Sequence, residues 1–207
     1  MSESTLAARP GFHDLLRQAG EGRGVIVTER AELGLATVIA RKGGAVALAA
    51  RLKERLGVDL PAGPQRATSN ALSLMGTGPG TWLATHEQGT TGLLSALREN
   101  IGDLAAVSDQ SDGYAVLRLT GPQVREALAK LVFIDLHLGA FGVGHVACTV
   151  AGHTGITLWR LKDGPDGAIF ELAVYRSFAA SFWHALSASF AGQSTCDRNA
   201  RVRSSFG

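Results

Sequence analysis

The sequence predicts an α+β protein built from two fused α+β units with antiparallel sheets. Three observations lead there. Apolar residues alternate between strand-like and helix-like spacing along the chain, Gly and Pro clusters punctuate the segments, and the order of segments in the first half partly recurs in the second. At 207 residues the chain has room for a real core, as one domain of ordinary size or two small ones.

Residues 1–21 read as an N-terminal arm with a short helix around Phe12 to Gln18. Leu33 to Ala40 reads as a strand. Ala45, Leu48, Ala49, Leu52 and Leu56 then recur at helical spacing and Gly57 supplies a stop, which predicts a helix from about Gly44 to Leu56. A loop through Asp59, Pro61, Gly63 and Pro64 leads to strands at Ala71 to Met75 and Trp82 to Thr85, joined as a hairpin by Gly76 to Gly80. Leu93, Leu94, Leu97 and Ile101 mark a second helix, entered at Thr90 or Thr91 and ended by Gly102, and Ala105 to Ser108 resumes as strand. Strand, helix, strand, strand, helix, strand is the ferredoxin-like split arrangement, whose sheet buries one face under two helices.

In the second half Tyr114 to Thr120 reads as a strand. Pro122 suits a first helical turn, and Val124, Ala127, Leu128 and Leu131 form the buried stripe of the helix it opens. Val146 to Val150, Gly155 to Arg160 and Ile169 to Val174 read as strands, with Gly164, Pro165 and Gly167 turning between the last two. Ser177 is the expected N-cap of a closing helix whose apolar face carries Phe178, Phe182, Leu186 and Phe190. The expected units are residues 22–102 and 103–191, although Ala105 to Ser108 fits either sheet. Residues 192–207 form a polar tail with Arg198, Arg201 and Arg203, whose composition predicts disorder or docking on a partner.

Composition narrows the function. Charged residues are 18% against 45% hydrophobic, a surface poor in charge for a free monomer, which points to buried subunit contacts. A net charge of +2 with scattered Lys and Arg disfavours nucleic acid. No apolar run approaches the roughly 20 residues needed to span a bilayer, so no membrane is expected. Met1 to Thr5 lacks the pattern of a secretory signal, and two isolated cysteines, Cys148 and Cys196, suit a reducing compartment; a cytoplasmic location is expected.

Candidate chemistry is sparse. His137, His145 and His153 are evenly spaced, but Cys148, the nearest further ligand, has the opposite strand parity to His145, and satisfied or exposed histidines are the better reading. Asp109-Gln110-Ser111-Asp112-Gly113 lies between strands, where Asp and Ser cap backbone donors, so a turn is expected rather than a carboxylate pair. Gly76-Thr77-Gly78-Pro79-Gly80 lacks the Gly-Lys-Ser/Thr ending of a phosphate loop, and Pro79 removes an amide. Ser69, Ser73, Ser95 and Cys148 have no nucleophile context. No catalytic, cofactor-binding or metal-binding residue is assigned.

Several segments in collinear order resemble the gamma subunit of heterotetrameric sarcosine oxidase. They are Val25 to Arg30, Leu35 to Gly43, Gly78 to Ala84, Asp109 to Gly113 with Tyr114 to Leu119 and Thr120-Gly121-Pro122, then Ile134-Asp135-Leu136-His137 with Phe141, Phe170 to Val174, Arg176 to Ala179 and Phe182-Trp183. The resemblance covers about residues 22–190. A more distant resemblance is to the folate-binding aminomethyltransferase of the glycine cleavage system: Asp109, Ser111 and Gly121 fit its order, but Gly155-Ile156-Thr157-Leu158-Trp159-Arg160 has no aspartate where those enzymes carry their catalytic one.

The resemblance implies a non-catalytic subunit packing against the alpha subunit in a complex with alpha, beta and delta chains, which oxidises sarcosine to glycine with hydrogen peroxide and formaldehyde or methylenetetrahydrofolate. FAD, FMN, NAD and tetrahydrofolate would belong to the larger partners and zinc to delta, with none in this chain. Two other readings stay open: the equivalent subunit of a complex acting on another N-methyl amino acid, and a stand-alone folate-dependent aminomethyltransferase. Trp159 and Arg160, on opposite faces of one strand, are the candidate interface residues, against the plainer reading of Trp159 in this chain's core and Arg160 in solvent.

Overall fold

The computed structural model describes residues 9–18 and 24–191. One antiparallel sheet has the order β3-β4-β5-β2-β6, formed by Arg66–Ser69 (β3), Leu72–Gly78 (β4), Thr81–His86 (β5), Gly34–Ala40 (β2) and Ala105–Asp109 (β6). The other has the order β1-β7-β10-β9-β8, formed by Ile26–Glu29 (β1), Tyr114–Thr120 (β7), Phe170–Tyr175 (β10), Thr154–Arg160 (β9) and Val146–Ala151 (β8). Among the described residues five α-helices cover them: α1 (His13–Gln18), α2 (Ala45–Leu56), α3 (Thr90–Ile101), α4 (Val124–Ala129) and α5 (Ala179–Ala191).

Strand parity builds four layers. Ala36 and Val38 of β2, Leu74 of β4 and Ala84 of β5 pack with Leu48 and Leu52 of α2 and Leu93 and Leu97 of α3. Leu117 and Leu119 of β7, Leu158 of β9 and Leu172 of β10 pack with Leu128 of α4 and Phe182 and Leu186 of α5. The alternate residues of the same strands, among them Leu35, Met75, Leu83, Val116, Trp159 and Ala173, meet between the sheets. Both central sheets are therefore buried on two faces, and their strands read as nearly continuous apolar runs.

The α+β class, both sheets' antiparallel pairing and each expected helix are present. The linear cut at 102/103 does not follow the sheets, because β1 pairs with β7 (Ile26 opposite Thr120) while β6 pairs with β2 (Ala40 opposite Ala105). Each sheet takes one strand from across that cut, and such long-range pairing leaves no local trace. Strands β1 and β3 are four-residue segments that the periodicity reading passes over; β3 turns into β4 at Asn70, whose φ is 51°.

Two details differ at the closing helix. Ser177 falls inside a 3-10 turn, Arg176–Phe178, rather than capping α5, and Phe178 is exposed while Phe182 and Leu186 are fully buried. The extra turn shifts the helix entry, so Phe178 precedes the face that meets the sheet. The predicted Gly76–Gly80 loop is shorter than expected. Strand β4 runs through a bulge to Gly78 and the turn is confined to Pro79 and Gly80. Gly76 serves packing instead: a Cβ there would lie 2.0 Å from the Gly63 carbonyl oxygen. The tail at 192–207 lies outside the described residues.

Candidate functional site

Between the sheets lies a cluster of charge that no single element supplies. Glu171 of β10 sits on the inter-sheet face and its side chain is 3% exposed. Its Oε1 accepts from Arg118 Nε of β7 at 2.9 Å, with Arg118 Nη2 2.7 Å away in the same ion pair, and from Nη1 of Arg30, just after β1. Its Oε2 accepts from the indole Nε1 of Trp159 on β9 at 2.8 Å. Arg30 spends its other nitrogens on Glu32, Nε to Oε1 at 2.6 Å, and on Glu87, which follows β5 of the opposite sheet. Arg30 therefore ties one sheet to the other.

The electrostatics follow from this geometry. Burial works against the charge on Arg30, but the Glu32, Glu171 and Glu87 carboxylates outweigh it and push the guanidinium pKa up. Burial opposes ionisation of Glu32 too, and Arg30 outweighs it, holding that carboxyl below its ordinary value. Arg66 of β3 is pulled down by burial, and its Nη2 donates to Ser73 Oγ at 2.8 Å. A buried charge is tolerated only when its bonds are satisfied, and Glu171 accepts hydrogen bonds from three side chains, serving as the shared counter-charge of two arginines.

Trp159 and Arg160 do lie on opposite faces of β9, but the strand has no free face. Trp159 is 1% exposed and packs between the sheets; Arg160 is 3% exposed and points into the helical side. Arg160 donates from Nη2 to Asp163 Oδ1 at 2.6 Å and from Nη1 to the Phe141 carbonyl at 3.3 Å. Neither presents surface in this conformation, since alternation along a strand yields an outer face only when a sheet is covered on one side. The reading of Trp159 as core fits. That of Arg160 as solvated does not.

The other sites resolve simply. Ser111 N donates to Asp109 Oδ1 at 2.9 Å, Gly113 N to the Gln110 carbonyl at 3.0 Å, and Ser111 Oγ accepts from Leu35 N at 3.0 Å and from Thr90 Oγ1 at 2.6 Å. The segment is a turn that pins β2 and the start of α3. His137 and His153 are exposed, His145 packs its ring edge against Phe141, and no group of three metal-ligating side chains occurs among the described residues. Two clefts open between the sheets, one of about 820 Å³ lined by charged groups including Glu29, Arg30, Arg98, Asp109 and Arg176, the other of about 540 Å³ beside the stacked rings of Tyr114 and Tyr175. Sequence reasoning singles out none of the cluster's carboxylates. A signal for one exists, since Glu171 interrupts the otherwise apolar run from Ile169 to Val174.

This architecture matches solved proteins. A heterotetrameric sarcosine oxidase from Corynebacterium sp. U-96, in complex with pyrrole 2-carboxylate, contains a chain similar at a TM-score of 0.76 and 26% identity, over 91% of this chain and 97% of that one. The glycine cleavage system aminomethyltransferase T from Bartonella henselae shares the fold at a TM-score of 0.54 and 16% identity, over 83% of this chain and 46% of that one. Among sequences, the sarcosine oxidase subunit gamma of Arthrobacter sp. is 29% identical over 171 residues, 79% of this chain and 81% of its own. That of Corynebacterium sp. (strain U-96) is 33% identical over 151 residues, 70% of each. The model of the sarcosine oxidase, gamma subunit family matches residues 42–192, most of the chain, and the chain belongs to that family.

Proposed function

We propose that this chain is a non-catalytic gamma subunit whose work is to support the assembly of a cytoplasmic sarcosine oxidase. Its partners are the alpha, beta and delta subunits, and the reaction is oxidation of sarcosine to glycine with hydrogen peroxide and formaldehyde or methylenetetrahydrofolate as products. FAD, FMN, NAD, tetrahydrofolate and zinc belong to the partners. The observation that carries the reading is how the central charges are used. Glu171 accepts from Arg30, Arg118 and Trp159, which uses it as a structural counter-charge between the sheets. The β9 strand, with no carboxylate from Thr154 to Arg160, supports the same view.

Co-expression tests it. The chain should be retained by affinity-tagged larger subunits, and alone it should bind neither flavin, zinc nor folate by absorbance, metal analysis and titration. Stoichiometric flavin in the isolated chain, or folate binding tighter than about 10 μM, roughly 7 kcal/mol, would sink the non-catalytic reading. Failure of retention would sink the assembly role.

A further inference from the structure

Ile39, Val150 and Tyr175 all lie on inter-sheet faces. Ile39 shares parity with Leu35 on β2, Val150 with Val146 on β8, and Tyr175 with Ala173 on β10, and those partners are core between the sheets. Yet Ile39 is 47%, Val150 42% and Tyr175 51% exposed. Side chains on faces that elsewhere form a closed sandwich are open here: Val150 and Tyr175 line a cleft of about 540 Å³, and Ile39 stands opposite Thr81, which lines it too.

That cleft differs in kind from the one of about 820 Å³, with which it shares Tyr114. Among the described residues lining it none is Asp, Glu, Lys, Arg or His; Thr is the commonest, with Tyr114, Tyr175, Leu83 and Val150 beside it. The 820 Å³ cleft is lined by charges of both signs. Absence of charge with tyrosines present is the composition of an interface core. A second, independent feature runs alongside. Strand β8 is the last strand of its sheet, and between the Val146 N–H bond to the Pro64 carbonyl and the bridge from Ala151 to Val132 its outer edge has no backbone partner among the described residues.

We propose that this open end of the sandwich is a docking site for an extended, uncharged segment of one of the larger subunits, which adds along the β8 edge and fills the cleft with apolar side chains. The proposal rests on the assembly role above. An extended segment satisfies both features at once, since its backbone meets the free edge while alternate side chains enter the cleft. A charged segment would lose its hydration with nothing there to pair with.

Cys148, exposed on β8 and lining the same cleft, gives a direct probe. In a Cys196→Ser chain it is the sole thiol. Its maleimide labelling should slow at least about tenfold when the chain is bound to the larger subunits, and Val150→Asp should weaken retention at least about tenfold while the melting temperature of the free chain stays unchanged. Retention of the wild type with Cys148 labelled at the free rate overturns this inference and leaves the assembly role standing. Loss of wild-type retention overturns both. Protection that grows with concentration in the isolated chain, with a doubling of mass by light scattering, assigns the cleft to a second copy and overturns the proposal. If Val150→Asp lowers the melting temperature of the free chain, Cys148 labelling decides alone: slowed labelling in the complex upholds the docking site and an unchanged rate overturns it.

Discussion

Glu171→Gln removes one charge and almost no volume from the centre of the inter-sheet cluster. The carboxylate accepts on both oxygens, from Arg30 and Arg118 at Oε1 and from Trp159 at Oε2. An amide offers one acceptor and one donor. If its oxygen faces the arginines, its NH2 confronts the Trp159 N–H; if it flips, the NH2 confronts two guanidiniums. Either way donor meets donor, and the arginine pair also loses its shared buried counter-charge. Breaking a buried pair by removing one partner costs about 3–5 kcal/mol, and Glu87 and Glu32 still hold Arg30, so the lower end, about 3 kcal/mol, is expected. For a chain of this size each kcal/mol moves the melting temperature by about 2–4 °C, giving a fall of roughly 6–12 °C by calorimetry. Urea unfolding should show the loss in the midpoint with an unchanged slope. A shift below about 2 °C would mean that the cluster is solvated in practice and does not hold the sheets together.

Two smaller perturbations test the surrounding parts. Gly76→Ala puts a methyl 2.0 Å from the Gly63 carbonyl oxygen, backbone against backbone, and should cost at least the 1–3 kcal/mol of an overpacked core as read by denaturant midpoint; a neutral variant would mean that the 61–64 loop moves freely away from β4. Glu32 has its folded pKa lowered below 4.5, so its contribution to stability is present above that value and lost as pH falls through the folded pKa. The deficit of Glu32→Gln against wild type should accordingly be present at pH 7 and shrink below pH 4.5. It should stay small throughout, because the Glu32 side chain is more than half exposed. A deficit that grows on acidification would show that Arg30 is not its partner.

The legible parts of this fold are those written locally. Helix α2 has leucines at helical spacing and Gly57 in the left-handed conformation, φ 64°, closing on the Lys53 carbonyl, so periodicity and stop signal place the helix to within one residue of Ala45–Leu56. The Asp109–Gly113 turn is closed by bonds between residues two to four apart, although Ser111 and Gln110 also reach Leu35 and Thr90. Illegible parts depend on residues far apart in the chain. Nothing near Ile26–Glu29 announces that its partner is Leu117–Thr120, and the Arg30–Glu171 bond spans 141 residues.

The burial of both Trp159 and Arg160 has the same origin. Their alternation is legible in the sequence, but whether an alternating strand has a free face is decided by how many layers the sheets form, and that is a property of the two sheets together. The candidate docking surface follows the same logic in reverse. Ile39 and Val150 fall within segments read in sequence as ordinary strands. Only the packing of the two sheets leaves them, with Tyr175, as open surface rather than core. Where sheets are covered on both sides, a strand offers no outward face, so the proposed contact lies where the sandwich is open, and its residues carry the same apolar signature as the core.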